Sequence, residues 1–324
     1  MKAGLMLGAG PAGLPAAARR AEELGFGLVS SGEHVFFHGP TSNAFLTLAA
    51  AAAATERVRL VSTLTLLPLY PMALVAKMTA TLDQLSGGRF ELGVGVGGEY
   101  PPEFAASGVP VAGRGRRADE ALGVLLRLLS GEQVTADGAF GSLDGLRLDP
   151  PPVQRPHPPV WVGGRQPAAQ RRAGRFADVW MPYMVSPGSF GRSLAGVREY
   201  AAEAGRPAGS VRGALFIWGS VDRDAARARD EAVRFVSQVY QQDFGPLADR
   251  YLLHGDPDMV LARLAEYQAA GAGTVIFSPA CPPDRVAGVT GLFAREVLPR
   301  LEVSGQAPPG RSGPRGLSGT GLSS

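Results

Sequence analysis

The sequence predicts an α/β fold of the (βα)8 TIM barrel class, and three observations lead there. Short apolar runs alternate with amphipathic helical stretches eight times, the pattern of repeated βα units around a parallel sheet. The chain has 324 residues, a length that α/β barrels routinely fill as one domain. Its hydrophobic content of 45% is ample for a large core.

Strand candidates fall at 3–8, 26–31, 58–65, 90–95, 159–163, 177–181, 211–218 and 274–278. The first leads through Gly8–Gly13 into a helix near 12–24, whose Arg19-Arg20-Ala21-Glu22-Glu23 continues a helical pattern. The second ends at Gly32-Glu33-His34 before a helix at 43–54, and the third runs from Val58 to Thr65 before a helix at 71–85. That helix stops at the pair Gly87-Gly88, and the buried strand 90–95 opens into the glycine-rich loop Gly95–Tyr100. Further helices are expected near 114–130, 167–175 and 187–204, then 222–241 with 257–270, and last 283–300.

Two insertions interrupt the rhythm. Residues 131–158 carry Gly131, Gly138, Gly141 and Gly145 and then Asp149-Pro150-Pro151-Pro152, which reads as a hairpin followed by a rigid approach to the fifth strand. Residues 242–256 are irregular up to a helix capped by Asp256 or Asp258. Both are expected to act as lids. Residues 1–302 are expected to form a single domain, and 303–324 a disordered tail, since 14 of those 22 residues are Gly, Pro or Ser.

The formal charge of +3 falls to +1 without that tail, which holds Arg311 and Arg315 and no acid. This leaves no basis for a nucleic-acid or membrane-surface partner. The lone Cys281 excludes an internal disulfide, and scattered histidines offer no metal-ligand spacing. With no apolar run long enough to span a bilayer, the expected location is cytoplasmic. The expected partner is a small-molecule substrate, and homodimerisation is left open.

Gly8-Ala9-Gly10-Pro11-Ala12-Gly13 matches the dinucleotide fingerprint GxGxxG, with Glu33 twenty residues on where an acid would meet a ribose hydroxyl. Against a Rossmann protein binding FAD or NAD stands the eightfold alternation, in which Gly8–Gly13 is simply the first βα loop. In a barrel, catalytic groups gather at the carboxyl ends of strands, which puts Glu33, His34 and Glu99 at the mouth. Imidazole, with an ordinary pKa of about 6.5, can give or take a proton there. Gly163-Gly164-Arg165-Gln166-Pro167 opens a helix whose free N–H groups suit a phosphate, with Arg165 adding a charged hydrogen bond. Phe36, Phe37, Trp180, Tyr183 and Met184 are candidate pocket walls, and His38 and His254 weaker polar candidates. The cations of Arg114-Gly115-Arg116-Arg117 would pair with Asp119, Glu120 or a neighbouring loop, or else meet an acidic cofactor tail.

Gly32-Glu33-His34, the run Leu82–Tyr100 and Trp161-Val162-Gly163-Gly164-Arg165 together resemble the bacterial luciferase-like superfamily over residues 1–301. Within it the chain looks like the branch of oxidoreductases that use the deazaflavin coenzyme F420. The resemblance implies a histidine, here His34, beside the reactive carbon, with Glu33 and Glu99 in the site. It implies a non-proline cis peptide at the third strand's end, placed by match between Leu64 and Thr65. It also implies a cofactor held by Leu64, Thr65, Gly97, Gly98, Gly163, Gly164 and Arg165. Luciferases proper carry an arginine after the fourth strand that helps hold the FMN phosphate, and Gly95-Val96-Gly97-Gly98-Glu99 has none. That departure favours F420 and hydride transfer to or from a C=C, C=N or C=O bond. The alternatives are an FMN-dependent monooxygenase using reduced flavin and O2, and a cofactor-binding protein without turnover.

Overall fold

The structure, a computed structural model, describes residues 1–303 apart from Ala9, Pro11, Ala12 and Ala208. Twelve strands occur among them: β1 Lys2–Met6, β2 Leu28–Ser31, β3 Arg59–Ser62, β4 Thr65–Leu66, β5 Phe90–Gly95, β6 Gln133–Gly138, β7 Gly141–Arg147, β8 Val160–Gly163, β9 Val179–Met181, β10 Arg212–Val221, β11 Leu253–Gly255 and β12 Ala272–Pro279. Eight of these close a parallel barrel in the order β1-β2-β3-β5-β8-β9-β10-β12, with β12 paired back to β1. Closure removes the open sheet on which a Rossmann reading depends. Gly8–Gly13 is accordingly the first βα loop, although Ala9, Pro11 and Ala12 lie outside the described residues. The tail expected at 303–324 falls outside them as well from residue 304 onward.

Period-two alternation sorts the strand side chains into two layers. Along β12, Val275 and Phe277 face the helices while Ile276 joins the barrel interior with Val61, Trp161, Val179, Met181 and Ala214. The helices begin where polar caps allow. Asn43, Ser186, Asp224 and Asp256 each accept a backbone N–H of the first turn that follows, and Pro257 stands just inside the last of these helices. Gly87 and Gly88, at φ 63° and 80°, turn the chain out of helix Met72–Leu85. Arg89 is thereby delivered to the carbonyls of Ala52, Thr55 and Val58.

Strand three is where the barrel departs from regularity. Its cis peptide joins Thr63 to Leu64, one bond earlier than the resemblance implies. Pairing with β5 runs Leu60↔Phe90 and Val61↔Glu91, then resumes at Thr65↔Val94 and Leu66↔Gly95. Four steps on one strand thus face three on the other, which is a bulge of one residue. The bulge is why the strand read as 58–65 is two strands.

The insertion at 131–158 is an antiparallel hairpin, β6 with β7, as its glycines suggest. It is not a lid. Helix Arg114–Leu129 carries the chain from the carboxyl ends of the strands back to their amino ends, so the hairpin hangs beneath the barrel. The segment after it is pinned to that floor, where buried Asp83 accepts from the N–H groups of Val153 (2.6 Å) and Gln154 (2.9 Å), and Gln154 donates to the Phe90 carbonyl at 2.6 Å. The second insertion holds a 3-10 turn at Gly245–Leu247, a short helix at Ala248–Tyr251 and β11, which pairs beside the end of β10.

On the outside of the barrel, Arg285 bridges Asp222 and Glu231, and Arg227 bonds the other Asp222 oxygen at 2.5 Å. Burial pushes the Asp222 carboxyl up, but hydrogen bonds from Arg227, the Asp224 N–H and Arg285 outweigh it and hold the group at about 2. Because this lies below the ordinary 3.8, the stabilisation is present above pH 3.8 and is lost as pH falls towards 2. Urea unfolding midpoints measured between about pH 4 and pH 2 should therefore fall more steeply for the wild type than for Asp222→Asn. Equal slopes would remove this network from the acid stability of the protein.

Candidate active site

The carboxyl ends of the barrel strands surround a cavity of about 310 Å³. Its aromatic wall comes from Phe37 after β2, Tyr183 after β9, and Tyr240 and Phe244 around the second insertion. Polar groups enter from Glu99 after β5, Arg165 after β8, and His38. The 242–256 insertion therefore borders the site, unlike the hairpin.

Of the residues expected to act in catalysis or to hold the cofactor, Glu99 and Arg165 line this cavity, together with the wall candidates Phe37, Tyr183 and Met184 and with His38. Glu99 accepts a short hydrogen bond from the Tyr183 hydroxyl. Burial, followed by the charge of Glu99, pushes the Tyr183 phenol far above its usual range, so it keeps its proton. Tyr240, pushed up to about 12 chiefly by burial, stays protonated too and accepts from the Trp218 ring N–H at 3.3 Å. Arg165 donates to the Met184 carbonyl at 2.8 Å, with its guanidinium 5.7 Å from the centre of the Tyr183 ring. Among the other wall candidates, Met184 reaches the cavity, whereas Trp180 is fully buried and bonds the Gly164 carbonyl at 2.9 Å. Phe36 is 54% exposed.

His34 stands beside the cavity rather than on its surface, stacked on Phe37 at 4.2 Å. Both oxygens of Glu103 lie 3.2 Å from its Nδ1. Glu103 is completely buried and also accepts from the Val35 N–H at 3.2 Å. The sequence reading missed this residue because Pro101-Pro102 after a glycine loop reads as continued loop. The signal was available, since Pro-Pro-Glu suits the first turn of a short helix, here Pro101–Ala106.

Glu33, expected in the mouth as a catalytic group, is not among the residues that line this cavity. It is 7% exposed, and its carboxylate accepts from the Leu66 N–H at 2.9 Å, the Ala44 N–H at 3.2 Å and the Tyr70 hydroxyl at 3.1 Å. Burial pushes this carboxyl up, against the three donors. The side chain ties the end of β2 to the bulged third strand and to the start of helix Ala44–Ala54, which is the work of a brace.

Several glycines face protein where a ligand is expected. A β-carbon on Gly163 would fall 2.0 Å from Leu64 Cδ1, and one on Gly93 would fall 1.9 Å from the Ser62 carbonyl oxygen. Leu64 thus fills the barrel top over these bare backbones, and Thr65 is fully buried. Gly97 seats the Phe104 ring, and Gly98 the guanidinium of Arg114, which donates to the Gly97 carbonyl at 3.0 Å. Gly164, at φ 106°, turns the chain into helix Pro167–Phe176, whose start has no side-chain cap. Of the remaining candidates, His254 lies in β11 against Asp249 at 3.1 Å, away from this cavity's walls. Asp119 pairs with Arg172 at 2.6 Å and Glu120 with Arg116 at 3.8 Å. No group of three or more His, Cys, Asp or Glu among the described residues is placed to hold a metal ion. No helix among them is long and apolar enough to cross a membrane.

Residues 2–252 match the model of the family described as luciferase-like monooxygenase. The chain belongs to that family. An uncharacterised relative from Mycobacterium tuberculosis is 37% identical over 176 residues, which span 54% of this chain and 60% of the relative. Among solved structures of the same fold, the monooxygenase RslO1 from Streptomyces bottropensis is 27% identical with a TM-score of 0.81, over 93% of this chain and 100% of that one. The coenzyme F420-dependent tetrahydromethanopterin reductase from Methanopyrus kandleri is 21% identical with a TM-score of 0.78, over 92% and 99%. The oxygenating constituent of 3,6-diketocamphane monooxygenase from Pseudomonas putida, in complex with FMN, is 20% identical with a TM-score of 0.73, over 93% and 99%. Solved structures of this fold thus include one described as coenzyme F420-dependent and one in complex with FMN.

Proposed function

We propose that this protein is an F420-dependent oxidoreductase that transfers a hydride between the deazaflavin and a small organic substrate. The observation that carries the choice is the disposition of the arginines. Arg114, packed behind the β5 loop, is engaged by the carbonyls of Gly97 and Val111, so that loop offers the cavity Glu99 and no phosphate-pairing cation. Arg165 is the guanidinium that lines the cavity, next to a helix start whose N–H groups lack a side-chain cap. This donor set suits an anionic phosphate entering from the β8 side.

When bound, the deazaflavin supplies a two-electron hydride carrier. His34, held by Glu103, holds or gives up a proton at its remaining ring nitrogen. Tyr183, protonated, orients Glu99. Phe37 and Phe244 exclude water from the reacting face, and Arg165 is aimed by the Met184 carbonyl.

The second reading, an FMN-dependent monooxygenase, is favoured by the 27% identity to RslO1. Titrating the purified protein with reduced and oxidised F420, FMN and FAD separates the two. Tighter binding of F420 is the expected result, and tighter FMN binding with substrate-dependent oxygen uptake would reverse the order. In the same titration Arg165→Ala should weaken a phosphorylated cofactor by about 1.5–3 kcal/mol and leave a phosphate-free analogue nearly unaffected. Equal losses would move the phosphate elsewhere. Arginine is the better probe than Gly164, since a β-carbon there lies 2.8 Å from Ala169 Cβ and strains the backbone by itself.

A further inference from the structure

We infer that Glu103 is a positioning residue that fixes the tautomer of His34, holding the proton of the neutral ring on Nδ1 and leaving Nε2 as a bare acceptor. Its consequence for turnover rests on the proton-handling role proposed for His34; Glu103 itself touches the imidazole and not the substrate.

Glu103 acts as an acceptor. Its Oε2 already takes the Val35 N–H at 3.2 Å, and a carboxylate has no hydrogen to offer. With both oxygens 3.2 Å from Nδ1, the ring must be the donor at that atom. The carboxylate is fully buried, so no water competes for the bond. Its place is set from below. Helix Pro101–Ala106 is anchored by buried Phe104, whose ring occupies the space left by Gly97, 3.1 Å from where a β-carbon there would sit. Phe37 stacks on the ring at 17° and removes its freedom to turn. A ring held in this way carries a lone pair at Nε2 when neutral and an N–H there only after protonation. The neutral form is thus set to accept a proton from a substrate, and the protonated form to return one.

The test uses the full chain without cofactor, labelled with ¹⁵N-histidine, in a buffer alkaline enough that the imidazoles are neutral. Four histidines contribute signals, and those of His34 are identified as the set missing in His34→Gln. Wild-type His34 should show the Nδ1–H pattern. Glu103→Gln, which keeps one acceptor oxygen, should retain it, and Glu103→Leu should convert the ring to Nε2–H. Turnover with cofactor should fall by about 10- to 100-fold in Glu103→Leu and be largely rescued in Glu103→Gln. An Nε2–H pattern in the wild type overturns the inference even if the leucine variant does not fold, and so does a leucine variant that keeps Nδ1–H. A tautomer that follows Glu103 while His34→Ala turns over normally would uphold the positioning and remove the proton role, so the two readings fail separately.

Discussion

Replacing His34 with alanine is expected to lower turnover by about 10²-fold or more, the usual scale for losing a general acid or base. Cofactor affinity should change little, because the residues read as holding the phosphate stand after β8 and not after β2. Stability should change measurably. Glu103, fully buried, would keep only the Val35 N–H as its partner, and leaving a buried carboxylate short of a donor costs about 1–3 kcal/mol. Three measurements are therefore needed on one variant: kcat and KM, cofactor Kd, and the urea midpoint. A large loss of kcat with Kd preserved assigns His34 to the chemistry. Unchanged kcat, whatever the stability, would reduce His34 to a wall residue behind Phe37.

The eight βα units were legible because each strand carries its own short apolar run and each helix its own amphipathic face, both of them local signals. What the sequence hid is contact between distant segments. Glu33 and His34 are neighbours in the chain, and periodicity cannot tell that one turns inward onto Leu66 and Ala44 while the other meets Glu103. The glycines show the same limit. Gly97 and Gly163 are read as positions that hold the cofactor and Gly93 as part of a buried strand, yet a bare backbone says only that something presses close. Here Ser62, Phe104 and Leu64 do so. Peptide isomerism has no local signature at all, which is why the cis bond is found one residue from the expected place. The hairpin at 133–147 was recognisable by its glycines, but which end of the barrel it covers follows from the direction of the helix before it.

Gly93→Ala is expected to be the most damaging single methyl that the barrel could receive. The added carbon would lie 1.9 Å from the Ser62 carbonyl oxygen and 3.0 Å from Leu64 Cδ2. Neither neighbour can withdraw easily. The Ser62 hydroxyl is bonded to both the N–H and the carbonyl of Gly93 at 2.9 Å, which clamps the two strands at the bulge, and Leu64 is wedged against Gly95 and Gly163. Relief would require β3 and β5 to part, so the cost should exceed the roughly 1–3 kcal/mol typical of overpacking a core. Gly95→Ala is the matched control, because the atoms nearest its β-carbon would be Cβ and Cδ1 of Leu64 at 3.3 Å, a contact tight by a few tenths of an ångström and far from the clash with backbone at Gly93. Urea unfolding of the two variants should separate them clearly, with Gly93→Ala accumulating poorly or melting well below Gly95→Ala. If the two prove equally stable, the Ser62 carbonyl is not fixed. The bulge would then be a pliable loop, and Leu64 would not be held firmly against Gly93, Gly95 and Gly163.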